Sequence, residues 1–257
     1  MQLKKSLLVA LSTLALACTA TDLGLQPDKS VVLAKQHPTQ QNNVQEITQM
    51  VFTSHLKLAN SGADITDGQL VQMCKDAYGG MEVSKAKRPR VMTVLHSGQD
   101  IFIASSMKGG YPYVEKECGS DSALTHAMSA LVGGHPGGHV NQAMCGEIMT
   151  IALYLRQGKF ESNHKMTGSR IVSVEQTKDG AVVVKRPCKQ REGEDQFGCC
   201  QVVEHFDIRE IPEATNAAPY TLAGIHATVQ AAGRLCTKPD AGTSNGEGTS
   251  KQAAKHN

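Results

Sequence analysis

From Val140 to Leu155 the chain reads VNQAMCGEIMTIALYL, and Met144, Ile148, Ile151, Ala152 and Leu155 recur at the spacing of one helix face. So apolar a face must be covered, and the stretch therefore predicts a core helix against which the rest of the chain packs. Its start also carries chemistry. A thiolate at Cys145 would sit among backbone N–H groups without intrahelical partners, which favour negative charge and make the sulfur a good metal ligand. Glu147, two positions on, points about 200° around the helix, so both side chains reach one site only where that site lies over the helix end. A core cysteine beside a surface glutamate would give the same letters.

The 257 residues allow one domain of about 150 to 200 residues plus appendages. The N-terminal MQLKKSLLVALSTLALA places Lys4 and Lys5 before an apolar run too short to span a bilayer, then small residues suited to cleavage after Ala17 or Ala20. This predicts a secretory signal peptide over 1–20, an extracellular mature chain and no membrane attachment after cleavage. The alternative, a lipoprotein processed at Cys18, has Ala15 where that signal wants Leu. Once Lys4 and Lys5 leave, 26 basic residues against 24 acidic become 24 against 24. With no basic footprint and with no Trp, five Phe and five Tyr, the composition argues against avid nucleic-acid binding. Cysteines stand at 18, 74, 118, 145, 188, 199, 200 and 236, and in a secreted chain disulfides are the default. If three of them hold a metal, Cys74, Cys118, Cys200 and Cys236 suffice for two bridges.

In chain order, residues 21–43 are polar with no sustained period and read as a flexible arm. Val44, Ile47, Met50, Val51 and Leu58 predict an amphipathic helix to about Ala59; Leu70, Met73, Cys74 and Ala77 predict a second that stops at Gly79-Gly80. Arg90–His96 and Asp100–Ser106, joined by Ser97-Gly98-Gln99, form a hairpin signature. A short helix over 122–132 and a glycine-rich loop lead to the core helix. His135 and His139 lie four apart in that loop but flank Pro136 and glycines, so no helix aligns them as a metal pair. Strands follow at Arg170–Glu175 and Ala181–Lys185, then Pro187-Cys188, a ten-residue loop, a short helix from Cys199-Cys200 and a strand over Ile208–Ile211. Tyr220–Leu235 predicts a last helix, and 237–257, nearly without apolar residues, a disordered tail.

Cys-Gly-Glu at 145–147, a strand, Pro-Cys at 187–188 and a helix opened by Cys-Cys-Gln-Val-Val at 199–203 together resemble the zinc-dependent cytidine and nucleic-acid deaminase superfamily over roughly residues 44–236. The resemblance implies Zn²⁺ held by Cys145, Cys188 and Cys199, with Glu147 as a proton shuttle that does not bind metal. Cys199 is preferred over Cys200 because it aligns with the Cys-x-Gln-Val pattern of free cytidine deaminases. Two features depart from the family. Ten residues separate Cys188 from Cys199 where the family has two, so either the loop bulges while the sulfurs converge or these cysteines form a disulfide. The second hairpin strand ends in Ala104-Ser105-Ser106, without the Asn and Glu that hold a ribose, which leaves Ser105, Ser106, His139 and Asn141 as candidate substrate contacts.

The implied fold is a three-layer α/β/α sandwich with a mixed sheet. The implied function is a secreted hydrolase that removes an amine from a nucleobase, nucleoside or nucleic acid, similar to the toxin branch of the superfamily. The alternative is a non-catalytic secreted effector or binding protein that keeps the scaffold and uses its cysteines as disulfides.

Overall fold

The computed structural model describes residues 21–31, 50–60, 65–109, 122–158, 165–190 and 192–236. The expected signal peptide with its cleavage sites, residues 32–43 of the arm and the tail from 237 lie outside the described residues. The elements are β1 (Gln26–Pro27), β2 (Phe52–Leu58), α1 (Asp67–Gly79), β3 (Val91–Ser97), β4 (Asp100–Ser105), α2 (Ser122–Gly134), α3 (Gly146–Arg156), β5 (Arg170–Gln176), β6 (Val182–Lys185), α4 (Cys199–His205), β7 (Arg209–Glu210) and β8 (Ala227–Gln230). The protein is thus mixed α/β, with one eight-stranded sheet and four α-helices among the described residues. None of these helices is long and apolar enough to cross a membrane.

The sheet runs β1-β2-β4-β3-β5-β6 and is antiparallel throughout this path. β8 pairs with β2 beside β1, and β7 joins β5 in parallel. Successive residues of the central strands enter different cores, as side-chain alternation requires. Leu95, Phe102, Ala104 and Ile171 pack with α2, α3 and α4, whereas Met92, Val94, Ile101, Ile103, Val172 and Val174 pack with α1. α1 is opened by a capping box in which Thr66 accepts from the Gln69 N–H and the Gln69 side chain accepts from the Thr66 N–H.

The hairpin, α1, α2, the strand pair at 170–185 and the helix at Cys199 lie where the sequence places them. Three expectations do not hold. Of the predicted helix from Val44 to about Ala59, residues 44–49 lie outside the described residues and the rest holds the strand β2, in which every residue but Lys57 is buried. Its polar members are matched inside the fold, with His55 Nε2 2.8 Å from Asp100 Oδ1, so burial on both faces erases the alternation that would have revealed a strand. Tyr220–Leu235 is not a helix. Hydrogen bonds from Ile225 N to Thr221 O and from Ala227 N to Leu222 O form turns, His226 takes a left-handed φ of 51°, and the chain leaves as β8. Part of the expected arm is seated as well: Gln26 and Pro27 pair with Thr53 and Phe52, and Val31 is buried.

At the end of β3, His96 accepts a hydrogen bond from Arg170, whose guanidinium also binds Asp67. Burial first, and then the neighbouring Arg170 cation, hold the His96 pKa down to about 4. The unfolded imidazole takes a proton near pH 6.5, so between that pH and about 4 the unfolded state binds more protons and stability falls as the pH falls. Melting curves across this window should show that decline, and His96→Gln, which still accepts from Arg170, should flatten it.

Candidate metal centre

Four potential ligand atoms, His139 Nε2 and the sulfurs of Cys145, Cys188 and Cys199, lie within 4.8 Å of one another. The Cys145 and Cys188 sulfurs are 3.8 Å apart. Two thiolates about 2.3 Å from one tetrahedral zinc would stand at roughly that spacing, whereas a disulfide would bring them to about 2.05 Å. His139 Nε2 is 3.3 Å from Cys199 Sγ and 3.9 Å from Cys188 Sγ. Soft sulfur donors in this number suit a thiophilic ion and not a hard cation that takes oxygen.

Three local devices assemble the cluster. α3 begins one residue later than Cys145, which is its N-cap, and Met107 N–H binds Met144 O to fasten this end to the exit of β4. A Cβ at Gly146 would come closer to Thr93 Oγ1 than the 3.0 Å below which real Cβ contacts essentially never fall, so glycine lets the first turn lie directly on β3. The glycine-rich loop is then clipped to the segment before α4 by Gly137 N to Asp195 O, Phe197 N to Gly138 O and Val140 N to Phe197 O. That clip brings His139 beside Cys199.

The ten-residue gap closes on itself. Cys199 N–H donates to Cys188 Sγ at 3.1 Å and Cys200 N–H to Cys188 O at 3.1 Å, so the two ends of the loop meet. Cys188 and Cys199 are free thiols, as are Cys74, Cys145 and Cys200, which removes the Cys188–Cys199 bridge and the proposed bridging of Cys74 and Cys200. Cys236 is disulfide-bonded. Cys200 is directed away from the cluster, its thiol donating to Gln201 Oε1.

Glu147 is buried beside this cluster, its Oε1 accepting from Ser173 Oγ at 2.8 Å, and Ser173 in turn lies 2.7 Å from Thr93 Oγ1. Burial pushes the Glu147 pKa up, opposed by hydrogen bonds that include those from Ser173 and Cys199. The hydrogen bonds with Cys145 and Cys199 pull the Cys188 pKa down, while Cys145 is pushed up by its hydrogen bond with Cys188 and Cys199 by burial. One thiol of the group is thus favoured to hold the negative charge. A cleft of about 490 Å³ opens over the site, with Cys145, Glu147 and Cys188 in its wall.

Comparison with known proteins gives no identity. No family model, curated protein or solved structure matches the chain.

Of the residues singled out from sequence, Cys145, Cys188 and Cys199 come together and Glu147 stands beside them. Ser106 and Asn141 line the cleft. Ser105 does not: it is buried, accepting from Phe52 N and donating to Ser106 O, so it ties β4 to β2. His139, a candidate substrate contact, belongs to the thiol cluster instead, and His135 stays outside it. Ser173 carried no signal, because nothing in RIVSVE distinguishes the serine that faces Glu147 from any inward strand residue.

Proposed function

We propose that this chain is a zinc-dependent hydrolase that deaminates a nucleobase, nucleoside or nucleic acid, built as a three-layer α/β/α sandwich of the deaminase kind. The observation that carries the reading is the Glu147 carboxylate, buried next to the thiol cluster and opening on the same cleft. A metal that served structure alone would have no use for a carboxylate there. Cys145, Cys188 and Cys199 would hold the ion, and zinc bound by them would supply the Lewis acidity that makes a water reactive near neutral pH. Glu147 would take one proton from the water as it adds to the ring carbon bearing the amine and pass it to the ring nitrogen, then take the proton left on the added hydroxyl and pass it to the amine, which departs as ammonia while the carbonyl forms. Val91, Met107, Val140 and Met144 give the cleft apolar walls for a flat ring, and Asn141 and Ser106 give polar groups at its edge. The helices on both sides of the sheet, α1 against one core and α2 to α4 against the other, support the layered assignment. Secretion, read from the first twenty residues, remains part of the proposal.

Zinc content and ammonia release, measured together on cytidine, adenosine and guanine compounds and on single-stranded nucleic acid, test the reading. The parent should carry about one equivalent of zinc, since its three sulfurs share one site. Cys145→Ser should lose metal by more than the about 10- to 100-fold that outer-shell changes cost, with a parallel fall in melting temperature. A parent that binds zinc yet releases ammonia from none of these substrates would leave a non-catalytic binding protein as the better account.

A further inference from the structure

We infer that His139 serves the centre as an N–H donor to sulfur and not as a metal ligand, which leaves the fourth coordination position facing the cleft. This rests on the reading of the thiol cluster as a zinc site. His139 Nδ1 lies 3.1 Å from the Asn141 backbone nitrogen and 3.3 Å from that of Ala143, both placed to donate to it. The left-handed φ angles of Gln142 (52°) and Ala143 (57°) wrap the chain so that these N–H groups converge on the ring. A hydrogen on Nδ1 would oppose both donors, so Nδ1 carries its lone pair and the neutral ring is protonated at Nε2. Histidines that bind zinc through Nε2 have the reverse arrangement, with Nδ1–H donating to a carboxylate or carbonyl.

The Nε2–H then has a partner. It faces Cys199 Sγ at 3.3 Å, while Asn141 Nδ2 donates to Cys145 Sγ at 3.4 Å and Cys199 N–H donates to Cys188 Sγ at 3.1 Å. Each sulfur thus receives one N–H. Three thiolates leave one uncompensated negative charge around a divalent ion, and three such donors spread it. The burial fits the same picture: His139 and Cys199 are buried and approach from the interior, while Cys145, Glu147 and Cys188 form the cleft wall. Three protein ligands with an open fourth position is the form of a catalytic zinc, and a fourth ligand from His139 would close it.

Zinc K-edge X-ray absorption on the zinc-loaded full chain, with long-range ¹H–¹⁵N correlation of its histidine rings, decides between these. The expected result is three sulfurs and one lighter atom with no imidazole outer-shell scattering, and His139 protonated at Nε2. His139→Gln should keep one equivalent of zinc with affinity reduced by about 10- to 100-fold, the cost of losing an outer-shell partner. Imidazole scattering in the wild type, or a His139 ring protonated at Nδ1, overturns the inference while the zinc reading stands. A full chain that takes up no zinc overturns both. The wild-type spectra carry the decision if the variant fails to fold.

Discussion

Glu147→Gln should lower deamination by about 10² to 10⁴ while zinc content and fold are kept. The substitution preserves size, and the amide oxygen still accepts the hydrogen that Ser173 Oγ donates at 2.8 Å. What disappears is a group able to take a proton and give it back. A full contact set surrounds this side chain, which is only 3% exposed, so an isosteric replacement leaves no cavity. Removing a buried carboxylate also removes its desolvation cost, and the melting temperature should hold or rise. Wild-type rates in Glu147→Gln, or zinc loss equal to that of Cys145→Ser, would show that the carboxylate has another role.

The second large effect is expected at Gly198, the residue before Cys199. A Cβ there would fall closer than 3.0 Å to the carbonyl oxygen and carbon of Cys188 and to the backbone of Lys189. These are main-chain atoms and cannot rotate aside, so Gly198→Ala has to part the ends of the loop and with them the Cys188 and Cys199 sulfurs. We expect a loss of about 1 to 3 kcal/mol, as for other overpacked sites, together with loss of bound metal. Gly133→Ala in α2 is the control, because a Cβ there meets nothing within 4 Å, and it should leave zinc unchanged and stability unchanged or slightly raised. Retention of full zinc occupancy in Gly198→Ala would mean that this close approach does not hold the site together.

Much of the cluster was legible in the residues because cysteines are rare letters and here stand, with a glutamate, in a recognisable order. Cys145, Glu147, Cys188 and the choice of Cys199 over Cys200 all follow from it. His139 was legible only as a candidate substrate contact and, with His135, as a pair that no helix aligns on a metal. Its place depends on a loop whose hydrogen bonds run to residues 195–197, and no local pattern records a partner that far along the chain. The fold was read best where the local signal is strong, as in α1 with its apolar residues at helical spacing and in the hairpin with its Ser97-Gly98-Gln99 turn. β2 lies inside the sheet between β4 and the β1–β8 side, so Thr53, Ser54 and His55 are buried, and the spacing of Met50, Val51 and Leu58 mimicked a helix. At Tyr220–Leu235 the same spacing was broken by turns that include a left-handed His226, a conformation that only a few per cent of non-glycine residues adopt.

The loop between Cys188 and Cys199 has its two ends in contact, so the number of residues it contains does not set the distance between the sulfurs. Insertions between Cys188 and Asp195 therefore need carry little entropic consequence, since closure cost grows only slowly with loop length, so long as residues 195–197, which clip the loop of His139, are kept. Any search for such centres that fixes the interval between the last two cysteines will pass over chains built this way. A rule that asks for a Pro-Cys, and later a Gly-Cys opening a helix, with any number of residues between them, would retain them.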